Sequence, residues 1–113
     1  MNVCNLTDKK CVPCEGGIPP LTAEEIAKLM PNIKNWQLNV EKTAITKHYS
    51  FKNFYHTMSF VNAIAWIANQ EDHHPDLKVG YNTCEVMYMT HAISGLSEND
   101  FICAAKVDAL QAE

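Results

Sequence analysis

From Asn53 to Gln70 the chain carries no charged side chain. On a helical wheel Phe54, Met58, Val61, Ala65 and Ala68 mark one face, and Phe60, Ile64 and Ile67 adjoin it. Tyr55 and Trp66 lie well round the other side. The segment reads as a helix from about Lys52 to Asp72, opened at Ser50 or Lys52. A helix that is apolar nearly all round is buried nearly all round. Lipid is not its expected surroundings, because Asn53, His56, Thr57, Ser59, Asn62, Asn69 and Gln70 are too many polar groups for a bilayer core. A chain of 113 residues has material for one core. It can cover one face of such a helix and hardly two, so a partner subunit is expected.

The remaining elements arrange themselves around this helix. Thr22 and Glu25 form a capping box, Ile26, Leu29 and Met30 follow at helical spacing, and Pro31 stops that helix. Trp36, Leu38 and Val40 alternate with polar residues as a strand. A second strand runs from Ala44 to Phe51, and the short Glu41-Lys42-Thr43 connection between the two predicts an antiparallel hairpin. His74-Pro75 ends the long helix, because the residue before proline is pushed out of the α region. Leu77, Val79 and Tyr81 make a third strand, Tyr81-Asn82 a turn, and Cys84, Val86 and Tyr88 a fourth strand. Ser97 to Asp100 is a second capping box, opening a helix with Phe101, Ala104, Ala105, Val107 and Leu110. The order α-β-β-α-β-β-α predicts an α+β fold: a four-stranded antiparallel sheet with three helices packed on one face.

Residues 1–20 read as a separate arm preceding a single domain over 21–113. Cys11 to Pro20 holds two glycines and three prolines, which leaves no regular element. Cys11-x-x-Cys14, with Cys4 nearby, suggests half a zinc site or a redox motif. The second ligand pair and the following helix that those uses require are missing, so a flexible arm with free thiols is expected. Cys84 and Cys103 fall on apolar positions and are expected in the core. Five cysteines, an odd number, fit reduced thiols better than a disulfide framework. The first twenty residues contain no apolar h-region, and a cytoplasmic protein is expected. The net charge is −4, and every one of the nine cations is a lysine. This disfavours nucleic acid, which calls for a basic surface, and an acidic membrane surface.

The densest polar cluster is Glu71-Asp72-His73-His74-Pro75-Asp76, at a helix end. Imidazole titrates near neutrality and can give or take a proton during turnover. Adjacent residues point in different directions, so His73 and His74 have different roles. The plain alternative is that both simply stabilise the negative end of the helix. His91, at the end of the fourth strand, is a third candidate. His73, His74, His91 and a carboxylate would be enough ligands for zinc or iron. Consecutive histidines fit one coordination sphere poorly, however, and the cluster has no His-x-x-x-His spacing.

Taken together, Asp72-His-His-Pro75, Tyr81-Asn82, Thr90-His91 and Gly95-Leu-Ser-Glu-Asn-Asp100 resemble the pterin-4a-carbinolamine dehydratase family. Asn35-Trp36 and Ser50-Phe-Lys-Asn-Phe54 extend the resemblance, which covers about residues 21–111. It implies the same α-β-β-α-β-β-α fold, assembly as a homodimer or homotetramer, and removal of water from a 4a-hydroxytetrahydropterin to give quinonoid dihydropterin. It also implies a link to aromatic amino acid hydroxylases, whose cofactor this reaction recycles, and no metal or organic cofactor. Carried over residue by residue, His73 and His91 match the general acid and base, and His74 matches the histidine that binds and orients the pterin. Asp72 and Pro75 shape the pocket, and Asp100 matches an acidic residue at its rim.

Two positions depart from the family pattern. Leu77 stands where animal members often have tryptophan, and Asn99 where arginine often precedes the rim aspartate. Neither change removes a proton carrier. The competing readings are a non-catalytic dimerisation or binding module, as in animal members that partner a homeodomain transcription factor, and a metal-dependent hydrolase or oxygenase.

Overall fold

Thr22 caps the first helix, α1 (Ala23–Leu29), as its spacing to Glu25 predicts. The Thr22 Oγ1 accepts the Glu25 N–H at 3.2 Å, and the Glu25 carboxylate accepts the Thr22 N–H at 2.8 Å. Such a cap contributes about 1 kcal/mol. Pro31 ends the α-helical bonding, and a 3₁₀ turn over Met30–Asn32 carries the chain past it. These elements belong to a computed structural model that describes residues 6–12 and 18–110.

Four strands follow: β1 (Gln37–Leu38), β2 (Ile45–Ser50), β3 (Asp76–Val79) and β4 (Thr83–Tyr88). They form one antiparallel sheet in the order β1-β2-β4-β3. The central β2–β4 register sets Ile45 opposite Tyr88 and Tyr49 opposite Cys84. All four are buried, with Val86 between them, so one sheet face is core. Helices α1, α2 (Phe54–Glu71) and α3 (Glu98–Leu110) supply the opposing apolar side chains: Ile26, Phe60, Ile64, Phe101, Ala104 and Val107. This is the expected α+β architecture.

Boundaries differ from the sequence reading in several places, three of them for a clear local reason. Strand β1 stops at Leu38 and leaves Val40 exposed. The Asn39 carboxamide oxygen captures the Thr43 and Ala44 N–H groups at 2.8 and 3.0 Å and folds the chain into a turn. Helix α2 is capped by Asn53, whose Oδ1 accepts the His56 N–H at 2.9 Å, and not by Ser50 or Lys52. At α3 only half of the expected box forms. The Asp100 carboxylate accepts the Ser97 N–H, while the Ser97 hydroxyl turns to Thr90 Oγ1 at 2.7 Å.

The core stripe of α2 is Thr57, Phe60 and Ile64. Tyr55 and Trp66 stay exposed, and Phe54 stacks on Tyr81 of the β3–β4 turn with centroids 6.5 Å apart. Among the described residues, no helix is long and apolar enough to cross a membrane.

The N-terminal segment is packed, where a flexible arm was expected. Leu6 is only 3% exposed and belongs to the core cluster. Lys106 Nζ donates to the Thr7 carbonyl at 3.0 Å, and Lys9 pairs with Glu98 at 2.6 Å. Cys84 and Cys103 are buried, as expected. Cys4 and Cys14 lie outside the described residues, and with them the second half of the Cys11-x-x-Cys14 pair.

Candidate active site

Helix α2 ends at Asp72, which takes the left-handed conformation at φ 54°. A non-glycine residue there costs on the order of 1 kcal/mol. The His73 N–H still reaches back to the Ala68 carbonyl at 3.2 Å. The reversal therefore occurs at Asp72, two residues before His74 of the His74-Pro75 step that the sequence suggested. It sends the two histidines in opposite directions. His73 turns inward and is mostly buried, with 13% of its side chain exposed, whereas His74 is exposed.

Inside, His73 Nε2 lies 2.6 Å from Asp100 Oδ1. A carboxylate only accepts, so Nε2 carries the proton and Nδ1 is the ring nitrogen left for chemistry. Asp100 has no exposed surface. Its Oδ2 accepts the Thr90 hydroxyl at 2.8 Å and the Ser97 N–H at 3.0 Å. It also sits in the first turn of α3, where the helix dipole favours an anion. The His73 ring lies nearly parallel to Tyr88, at 11° and 5.9 Å between centroids. One face packing and one charge-assisted bond fix the ring.

His74 is held more lightly. Its Nδ1 lies 3.1 Å from the Pro75 carbonyl, a donor–acceptor pair that leaves Nε2 available. His91 begins a 3₁₀ turn, His91–Ile93, just past β4. Thr90 and Gly95 bridge across that turn, with Thr90 N–H to Gly95 O at 2.8 Å. Gly95 is needed there, because a Cβ would stand 2.7 Å from Pro20 Cβ.

His73, His74, His91 and Asp72 line a single cleft of about 510 Å³, with Met89 and Thr90 at its base. That is the size range of small-molecule sites. Of the expected pocket residues, Pro75 and Asp100 do not line it. Pro75 is buried, and Asp100 lies behind His73 where a rim position was expected. Among the described residues, no three His, Cys, Asp or Glu side chains gather as a metal site.

One part of the lining was not anticipated. That part is Cys11 and Val12 of the N-terminal segment, which line the same cleft with Glu71 and Asn99. The Cys11 and Cys103 sulfurs are 3.6 Å apart. This thiol contact, and then burial, hold Cys103 well above the ordinary thiol range, so it stays protonated. Glu71 accepts the Cys11 N–H at 2.8 Å and pairs with Lys106 at 3.5 Å. Burial pushes the Glu71 pKa up, but the Cys11 N–H, Lys106 and Lys10 outweigh it and hold it below its ordinary 4.5. A depressed carboxylate pKa contributes stability above the ordinary value, which is lost as pH falls through the folded one. Between about pH 6 and pH 3 the wild-type urea midpoint should therefore drop further than that of Glu71→Gln. Equal drops in the two proteins would remove Glu71 as the cause.

With this geometry in place, comparison with known proteins is direct. The family model described as pterin 4 alpha carbinolamine dehydratase matches residues 19–110. The chain belongs to that family. A Nitrosomonas europaea relative, provisionally named a pterin-4-alpha-carbinolamine dehydratase, is 64% identical over 110 residues, covering 96% of each chain. A Legionella pneumophila relative of the same provisional name is 55% identical over 107 residues, covering 94% of this chain and 95% of its own length. Among solved structures, a Brucella melitensis protein described as a transcriptional coactivator/pterin dehydratase superposes with a TM-score of 0.78 at 31% identity. It covers 82% of this chain and 99% of its own. A pterin dehydratase-like protein identified as a RuBisCO assembly factor in the alpha-carboxysome shares the fold, with a TM-score of 0.60 at 21% identity, covering 70% of this chain and 92% of its own.

Proposed function

We propose that this pterin carbinolamine dehydratase family member is a hydro-lyase. It removes water from a 4a-hydroxytetrahydropterin, giving quinonoid dihydropterin, by histidine acid–base catalysis. The observation that carries the reading is the shared cleft: three imidazoles line it, and one of them is locked onto a buried carboxylate.

The chemistry asks for two proton movements. Hydroxide leaves poorly, so the departing oxygen at C4a takes a proton as its bond to carbon breaks. The proton on the adjacent ring nitrogen is lost, and the electron pair it leaves forms the new C=N bond. Imidazole can serve each step near neutral pH, with each carrier contributing about 10²- to 10⁴-fold. His73, through Nδ1, and His91 are assigned these transfers, with His74 orienting the pterin through Nε2. Asp72 borders the ring. Asp100 acts through His73, and buried Pro75 supplies the carbonyl that holds His74 Nδ1. In tetrahydropterin recycling this step follows an aromatic amino acid hydroxylase.

The RuBisCO assembly factor shows that the fold is also put to another use. The fold therefore does not choose between catalysis and a binding module, whereas the histidine set favours catalysis. The test is the rate at which enzymatically generated 4a-hydroxytetrahydropterin decays in ultraviolet absorbance. Purified protein should accelerate the decay well beyond buffer, and an unaccelerated decay overturns the reading.

Phe54, Tyr55 and Trp66 of α2, with Tyr81 stacked on Phe54, are a set of exposed aromatic side chains. We assign it to a homodimer or homotetramer contact. Light scattering should give a multiple of the 12.7 kDa chain mass, and a stable monomer defeats the assignment.

A further inference from the structure

We propose that the N-terminal segment Leu6–Val12 is a built wall of the substrate cleft, held in place by Asn99, and that it sets the affinity of the cleft for its pterin. The inference rests on the dehydratase reading and adds a binding element to it.

Three observations carry it. First, Cys11 and Val12 line the same cleft as the three histidines, and Val12 is 66% exposed although apolar. A flat heterocycle needs an apolar surface as well as polar partners, and the histidines and Asp72 of the cleft are polar. Second, the segment is fastened along its length. Asn99 clamps Val12 from both sides: its Oδ1 accepts the Val12 N–H at 3.1 Å, and its Nδ2 donates to the Val12 carbonyl at 2.7 Å. Glu71 takes the Cys11 N–H, and Leu6 anchors the far end in the core. Backbone held at both its donor and its acceptor is positioned as a strand neighbour would position it. Third, Cys11 and Val12 lie outside the residues that the family model matches. The family match begins at residue 19, and the Brucella melitensis structure matches over 99% of its own length while covering only 82% of this chain. The Nitrosomonas europaea relative, by contrast, aligns over 96% of the chain.

Asn99 is therefore a positioning residue, and Val12 and Cys11 are the surface it positions. A wall that only binds should change KM and leave kcat, since it holds ground state and transition state alike. The sulfur contact supplies an independent readout of wall position. In protein with Cys4 and Cys14 replaced by serine, the diazene oxidant diamide should link Cys11 to Cys103. The two thiols lose two electrons and two protons, and the diazene becomes a hydrazine. Peptide mass mapping reads the link.

Asn99→Ala should slow this linkage about tenfold, raise the Kd for a stable dihydropterin and the KM for the carbinolamine about fivefold or more, and keep kcat within about twofold. Asn99→Asp, which retains the acceptor for the Val12 N–H, should fall between. Val12→Asp, at an exposed position that cannot cost the fold, should raise Kd about tenfold by setting a carboxylate against the ligand. If linkage slows while Kd and KM stay put, or if Val12→Asp binds normally, the proposal is overturned and the dehydratase reading stands. If the wild type binds dihydropterin in an Asn99-dependent way without dehydrating the carbinolamine, the wall stands and the dehydratase reading falls. A wild type that neither binds dihydropterin nor accelerates carbinolamine decay overturns both.

Discussion

His73→Ala should slow dehydration by about 100- to 10,000-fold while changing KM far less. The argument is geometric. His73 is the one imidazole whose ring is fixed on two sides, by the Tyr88 face and by the 2.6 Å bond to Asp100. The Nε2 proton is committed to that bond, so Nδ1 is the free ring nitrogen and the tautomer is defined. A proton carrier held within hydrogen-bond reach works because it has no orientation left to lose. Alanine removes the carrier and leaves the shape of the cleft. Asp100 keeps Thr90 and Ser97 as partners, so the domain should stay folded, with a melting point a few degrees lower. Steady-state rates on generated carbinolamine give the first number, and a thermal melt monitored by circular dichroism gives the second. Added imidazole should restore part of the lost rate. An alanine variant as fast as wild type would remove His73 from the mechanism, whatever the other histidines do.

Much of this arrangement was legible beforehand, and the reasons are local. Cys84, Val86 and Tyr88 announce β4 because a strand with one buried face must alternate. Thr22 and Glu25 announce α1 because both partners of the box lie within one turn. His73 and His74 stood out because two imidazoles among three carboxylates make the densest polar cluster in the chain. What was not legible depends on groups far apart in the chain. Val40 continues the alternation of β1, yet the Asn39 side chain draws the backbone away first. Ser97 and Asp100 have the composition of a reciprocal cap, but Thr90 competes for the Ser97 hydroxyl from seven residues away. Cys11 and Val12 gave no sign of a binding wall, because their partners Glu71, Asn99 and Cys103 are separated from them by 60 residues or more. Asn99 was visible only as a departure from the family pattern. The structure gives that departure a physical content, since an amide can clamp a backbone from both sides and an arginine cannot.

Asp100→Asn should be the sharpest probe of how His73 is set. The substitution keeps size and planarity at a site with no exposed surface, so packing is preserved. It removes the charge, and it replaces one of two acceptor oxygens with a donor. If the amide presents its oxygen to His73, its nitrogen faces the Ser97 N–H and the Thr90 hydroxyl, where two donors then oppose a third. If it flips to relieve that clash, its N–H faces Nε2, which must give up its proton and send it to Nδ1. The ring then shows the cleft the wrong tautomer. Either way the uncharged amide no longer stabilises the positive charge that forms when the ring takes a proton. Loss of rate should be about 100-fold or more at unchanged fold. Asp100→Ala should behave differently. It leaves the mostly buried imidazole without its partner and the buried Thr90 hydroxyl with Ser97 alone, and stability should fall by about 3–5 kcal/mol. That is a large share of what a domain of this size has. The pair of variants separates the two roles. A slow but stable asparagine variant beside an unstable alanine variant assigns Asp100 to positioning His73. An asparagine variant with wild-type kcat confines Asp100 to holding α3 against Thr90 and Ser97, and His73 must then find its tautomer without it.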